Sequence, residues 1–393
     1  MNDSHLDPRI NRFREKIVKH DQLEDVLDHV IRLVTSPRPE TVAALVGPSG
    51  VGKSTIIRAV QRHLCALHAE RMERDPGFLP YLSFKATSPL DGNFSWGDFF
   101  TRALVKANEA LVRKKFIPQM QVELDGSTVN SARGLIPQEL RRSFESLIES
   151  RDVQVMIIEE ASALLRIKKS GIPILQFEVL KSLAVQLRKP ILLIGAYDLL
   201  GILDGGGQLL RRSDVVHFPR YKLDAGASLM TGAQGQAPQA FVNVLHTFLE
   251  AIPIEKEADL IQHADYFLAR SVGCVGVLKD WLDRALVSVL SKPGAPVLTR
   301  AAIKEAALLN GTVLQLTEEA KAGEARLLQC SDDELARQLG LDSMPALDAP
   351  FPPQTTEEKE KPQKRGKSSK VGNRGPSRDA VRTASDPAPS TSA

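Results

Sequence analysis

The chain has 393 residues, of which 42% are hydrophobic and 25% charged, a balance that excludes a collagenous, wholly disordered or disulfide-stapled protein and allows two or three units, one of them a tail. Lys and Arg number 51 against 48 acids, a net charge of +3, so any nucleic-acid surface has to be local. Three scattered cysteines, Cys65, Cys274 and Cys330, form no metal or disulfide pattern; no apolar run is long enough for a membrane span, and the N-terminus lacks the apolar stretch of a signal peptide, so a cytoplasmic location is expected.

Residues 7–34 carry apolar side chains at helical spacing, interrupted near His20 and Asp21, and predict two short helices. Residues 41–46 form a short apolar run that enters a glycine-rich turn, and residues 54–67 read as a helix. Further short apolar runs at 81–84, 153–158, 191–194 and 215–218 alternate with helical patterns at 99–112, 138–150 and 177–187. Continuous rather than alternating hydrophobicity suits strands covered on both faces, as in a parallel sheet between helices. Helical patterns at 241–251, 258–269, 275–290 and 300–309 predict a smaller all-helical domain. The expected division is 1–222 α/β, 223–343 helical with trailing helices, and 344–393 a Pro-, Ser- and Lys-rich tail too poor in apolar residues to order itself.

Gly47, Pro48, Ser49, Gly50, Val51, Gly52, Lys53, Ser54 and Thr55 fit the pattern G-x-x-x-x-G-K-[ST] between a predicted strand and a predicted helix. In such a loop the backbone N–H groups converge on a β-phosphate, the lysine neutralises the β- and γ-phosphates, and the serine reaches Mg²⁺. Expected cofactors are therefore ATP, with Lys53 on the phosphates, and magnesium, with Ser54 as a ligand.

The run 153–158 ends in Glu159 and Glu160, where a second strand of such a site presents a metal-side carboxylate and then a base. Glu159 is expected to hold Mg²⁺ through water and Glu160 to polarise the attacking water. Tyr197, after the run 191–194, stands where a γ-phosphate sensor would sit, since its neighbour Ala196 has no polar atom. Arg211 and Arg212 precede the last predicted strand and read either as an arginine finger acting on a neighbouring subunit or as a solvated pair. Lys279 either reaches the γ-phosphate or lies on the polar face of an amphipathic helix, and Ile17 and Val18 are either adenine-side or core residues.

Together the segments GPSGVGKST, VMIIEEA, LLIGAYDLL, QLLRRSDVVHFPRY and SVGCVGVLKDWL resemble AAA+ transposition regulators of the TniB and TnsC type, over roughly residues 10–290. The resemblance implies an α/β fold of the AAA+ P-loop NTPase class: a five-stranded parallel sheet sandwiched by helices, a small all-helical lid and a disordered C-terminal tail. It implies an ATPase that forms a ring or helical homo-oligomer on double-stranded DNA, links a target-selection protein of the TniQ type to a transposase, and disassembles on hydrolysis. Two residues depart from the usual pattern, Glu159 for Asp and Ala196 for Thr or Asn.

The resemblance also places DNA-facing segments between the two ATP motifs, where Lys85, Arg102, Lys106, Arg113, Lys114, Lys115, Arg133, Arg141 and Arg142 lie. As a set they suit phosphate contacts that release counterions without reading bases; singly, each better suits a solvated helix face. The aromatic cluster Phe94, Trp96, Phe99 and Phe100 is expected to pack locally, because base stacking serves single strands. Two other readings stay open: a nucleotide-gated switch or scaffold that never touches DNA, and a replication-initiator-like ATPase.

Overall fold

Short apolar runs become strands because both faces of each are covered. In the computed structural model, which describes residues 7–36, 41–87, 94–109, 121–122, 128–129, 137–166, 174–205, 213–222, 237–327 and 332–342, five of them form one parallel sheet: β1 (Val42–Val46), β2 (Leu82–Lys85), β3 (Met156–Glu159), β4 (Ile191–Gly195) and β5 (Ser213–His217). Their order is β2-β3-β4-β1-β5. Every residue of β1 and β4 is buried, as the unbroken apolar runs require.

Helices α1 (Pro8–Glu15) and α2 (Asp21–Thr35) break where the apolar spacing breaks. Helix α3 (Lys53–Leu67) follows β1, the short α4 (Ala69–Arg74) follows α3, and α5 (Trp96–Lys106), α6 (Pro137–Ser150) and α7 (Ile174–Leu187) complete the layers. One face of the sheet is packed by a core that includes Phe84, Phe99, Phe100, Phe144 and Leu180. The other face is packed by a second core with Val30, Leu45, Ile56, Val60 and Ile157, drawn from α2, α3 and the sheet.

A third core belongs to the helical domain. It joins Phe241 and Phe248 of α8 (Gln239–Ala251), Phe267 of α9 (Ala264–Arg270), Trp281 and Leu282 of α10 (Val275–Leu290) and Ile303 of α11 (Arg300–Glu305). Phe13 and Val18, from the N-terminal end of the chain, are buried in this same core. Helix α1 thus packs as a member of the helical bundle, which the composition break near residue 222 does not show. Arg14 makes a two-pronged ion pair with Asp283 of α10, its closest approach 2.9 Å.

A long helix, α12 (Asn310–Leu327), follows the bundle and returns to the sheet domain, where it packs on the 3₁₀ segment Tyr197–Gly205 that follows β4. Residues up to Cys330 form one unit, and those from Ser331 a second, in which Asp332–Gln338 is helical. Among the described residues no helix is long and apolar enough to cross a membrane. The expected tail, 344–393, lies outside the described residues.

Candidate functional site

Parallel strands place their carboxyl ends on one edge, and the sheet order puts those of β1, β3 and β4 side by side. Val46 at the end of β1 is level with Gly195 of β4 and His217 of β5. Lys85 at the end of β2 is level with Glu159 of β3. The residues after these strands share a cavity of about 380 Å³, lined by Ser49, Gly50, Gly52, Lys53, Ser54 and Thr55 on one side and by Glu159, Glu160, Gly195 and Ala196 on the other. Two motifs more than a hundred positions apart in the chain therefore face one space.

The loop before α3 has the form a phosphate requires. Gly52 has φ +121°, a backbone region that side chains rarely enter, and it is the N-cap of α3, whose first residues Lys53, Ser54 and Thr55 line the cavity, at the end of a helix where anions are favoured. Lys53 Nζ donates to Gly47 O at 2.7 Å and to Pro48 O at 2.9 Å, which holds its ammonium at the loop. Burial lowers the Lys53 pKa, with Cys274 and the carboxylates of Glu160, Glu319 and Asp198 acting against that shift. A half-buried cation at the N-terminus of a helix suits an anion.

On the opposite wall, Ser83 Oγ donates to Glu159 Oε1 at 3.1 Å and fixes that carboxylate at the end of β3. Glu160 has left-handed backbone angles, φ 53° and ψ 36°. A non-glycine residue there costs about 1–2 kcal/mol, and the local turn it makes carries the chain from β3 into the 3₁₀ segment Ala161–Leu165. Such strain at a strand end marks a place where side-chain direction matters more than stability.

The helical domain closes the third side. Gly276 and Asp280 of α10 line the cavity, and Gly276 N donates to Gly50 O at 2.7 Å. A Cβ on Gly276 would stand 2.4 Å from Gly50 O, so only glycine permits this helix to touch the phosphate-type loop. Asp280, which sequence patterning did not single out, has its carboxyl pushed above the ordinary range chiefly by burial. Among the described residues no cluster of three His, Cys, Asp or Glu side chains could hold a metal alone. Ser54 and Glu159 still fit Mg²⁺ in the manner of P-loop sites, where protein supplies one or two ligands and the phosphates and water supply the rest.

Several expected site residues stand elsewhere. Tyr197 is buried, with its hydroxyl 2.9 Å from His217 Nε2, and does not line the cavity; burial raises its pKa. After β4, Asp198 Oδ1 accepts from Ser162 Oγ and from Leu199 N, the latter at 2.9 Å. Lys279 Nζ donates to Arg14 O at 2.6 Å and Lys16 O at 2.7 Å, so it caps the end of α1 rather than reaching a phosphate. Val18 is core and Ile17 is exposed, and neither lines the cavity. Arg211 and Arg212 lie outside the described residues.

Among the described members of the basic set, two line different cavities. Lys85 lines the cavity just described, while Lys106 lines a separate pocket beside Cys65, Tyr81 and Arg151. Arg102 pairs with Asp98 at 2.6 Å and Arg141 with Glu145 at 2.7 Å, each within one helix. Arg142 is exposed on α6, and Arg113, Lys114, Lys115 and Arg133 lie outside the described residues. The aromatic cluster packs as expected: Phe99 and Phe100 are buried, and Trp96 meets Phe99 edge-on with ring centroids 5.1 Å apart.

Residues 37–203 match the family model described as AAA domain. No curated protein matches the chain by sequence. Among solved structures, ORC1 of Aeropyrum pernix in complex with DNA is 15% identical with a TM-score of 0.50, over 76% of this chain and 68% of that one. ORC2 of Aeropyrum pernix, in ADPNP and ADP complexes, is 12% identical with a TM-score of 0.49, over 75% and 70%. Cdc6p of Pyrobaculum aerophilum is 15% identical with a TM-score of 0.47, over 79% and 74%. The sheet order, the loop before α3 and the domain match make this an AAA+ P-loop ATPase fold.

Proposed function

We propose that the chain is an ATP-hydrolysing regulator of the TniB and TnsC type, which assembles with copies of itself on double-stranded DNA and links a TniQ-type target-selection protein to a transposase. The observation that carries the nucleotide part is the single cavity shared by Lys53, Ser54, Glu159 and Glu160, with α10 of the helical domain touching the loop. The partners rest on the sequence resemblance.

The loop amides and Lys53 bind the phosphates, and Ser54 with Glu159 holds Mg²⁺, which when bound neutralises charge on the phosphates. Ser83 orients the Glu159 carboxylate. Glu160, at the mouth of the strained turn, accepts the proton of an attacking water. Arg211 or Arg212 of a neighbouring copy supplies the finger. Because α10 contacts the loop directly, the nucleotide's presence is felt by the helical domain, and this gives ATP a route to the surfaces used in assembly.

The test is retention on duplex DNA with ATP, ADP and a non-hydrolysable analogue at two salt concentrations. ATP and the analogue should give tighter, salt-sensitive retention than ADP; equal retention with every nucleotide would exclude the reading. A second reading, a replication-initiator-like ATPase, is favoured by the likeness to ORC1 in complex with DNA. It predicts preference for one duplex sequence over others of equal length, whereas the first predicts none.

A further inference from the structure

We infer that Lys85 is a second phosphate-contacting cation of the nucleotide site, placed on the terminal phosphate side rather than on DNA. The inference rests on the ATP reading above and adds a residue to it.

Strand geometry makes the case. Lys85 is the last residue of β2, level with Glu159 of β3. Successive strand residues alternate faces, so Ser83 and Lys85 share one face of β2 with Glu159 beside them. Ser83 meets Glu159 Oε1, which occupies that carboxylate with a neutral donor. Lys85 is exposed and lines the same cavity as Lys53, Glu159 and Glu160. Its neighbour on the adjacent strand is Glu159, and Lys53 and Glu160 line the same space. The loop amides surround the β-phosphate and Lys53 spans the β- and γ-phosphates, so a γ-phosphate lies towards Glu159 and Glu160.

The chemistry follows from charge. A terminal phosphate brought beside two carboxylates is repelled unless cations offset them; Mg²⁺ held by Ser54 and Glu159 would supply part of that charge, and Lys85 adds to it. On α10, the position that touches the loop is Gly276, with no side chain, and the other lining residue there is the acid Asp280. Lys279 is held on the carbonyls of α1. Among the described residues lining the cavity, Lys53 and Lys85 are the cations. Lys85 therefore adds to Lys53 a second contact that a triphosphate gains and a diphosphate lacks.

The experiment compares wild type, Lys85→Met and Lys85→Arg in equilibrium binding of ATP, a non-hydrolysable analogue and ADP, with duplex DNA retention measured across salt. Thermal melts confirm that each variant folds. Lys85→Met should weaken ATP and the analogue about tenfold or more while leaving ADP nearly unchanged, the size of one lost charge-assisted hydrogen bond, and Lys85→Arg should recover most of it. An unchanged ATP-to-ADP preference overturns the inference. So does a DNA salt slope lowered by about one with nucleotide affinities intact, which would return Lys85 to the DNA surface. Wild type that binds no nucleotide would sink the site reading itself, a result separable from failure of Lys85 alone.

Discussion

Arg220 Nε lies 2.9 Å from Glu324 Oε1, a contact between residues 104 positions apart in the chain. Both side chains are nearly buried, and Lys222 adds a second cation to Glu324 at 3.0 Å. Arg220 also donates to Val272 O at 3.4 Å, just before α10. One guanidinium thus ties the end of β5, the approach to the lid helix and the returning helix α12. Burial works against the Glu324 charge, but Lys222 and Arg220 outweigh it and hold the carboxyl below its ordinary value. Removing Glu324 leaves the nearly buried Arg220 guanidinium without a carboxylate, at about 3–5 kcal/mol, whereas removing Arg220 leaves Lys222 on Glu324 and costs less. Denaturant unfolding of Arg220→Ala, Glu324→Ala and the double variant should show the double costing much less than the sum of the singles. Strict additivity would mean the pair does not lock the helix.

Gly276→Val sets two effects against each other. Replacing glycine within a helix gains up to about 1 kcal/mol of intrinsic helix stability. At this position, however, the added carbon meets a backbone oxygen at 2.4 Å, and backbone cannot step aside as a flexible side chain would. Overpacking of this kind costs about 1–3 kcal/mol, so the lid should lift from the loop. Calorimetric titration should find ATP affinity reduced about tenfold; an unchanged affinity would show that lid contact is not part of binding.

Glu160→Gln removes the proposed base but keeps nearly the same volume and leaves the strained turn in place. Loss of a positioned general base lowers rate about 100-fold or more, while ATP affinity, set by the loop and Lys53, should stay within a few-fold. Phosphate release and equilibrium binding measured on the same preparation decide the point. Normal turnover would move the base elsewhere.

The parts of the site that are contiguous in the chain were legible before folding. Residues 47–55 carry their own geometry, because glycine spacing and a lysine at a helix start suffice to describe an anion cradle. Glu159 and Glu160 were legible because an apolar run that stops at two acids has to place them at a sheet edge. What the chain alone did not show were contacts that depend on a distant neighbour. Tyr197 sits at a sensor's address, yet its hydroxyl turns to His217, which reaches it only because β5 flanks β1 in the sheet. Lys279 looks free on its helix until α1, 265 residues earlier, offers it two carbonyls. Lys85 read as one of a basic series, and only the pairing of β2 with β3 shows which wall it stands on. Periodicity reports burial; it does not report partners.

His20 and Tyr221 mark the crossing between the two domains, and their bond gives a pH prediction. His20 Nδ1 is 2.9 Å from Tyr221 Oη, and the imidazole stacks near Phe218 with 25° between ring planes. Tyr221 N in turn donates to Gly273 O at 2.9 Å, next to the lid helix. Burial lowers the His20 pKa from 6.5 to about 4, with Asp21 pulling weakly the other way. The folded state therefore keeps this ring neutral while the unfolded chain protonates it. Between those two values the unfolded state binds more protons, so stability rises with pH through the window and is lost as pH falls from about 6.5 towards 4. The full shift corresponds to a loss on the order of 3 kcal/mol. His20→Asn retains a polar partner for Tyr221 but does not titrate. Its unfolding free energy, followed from pH 7 to pH 4, should decline less steeply than that of wild type. Parallel curves would show that this histidine is already charged in the folded protein or reaches water freely.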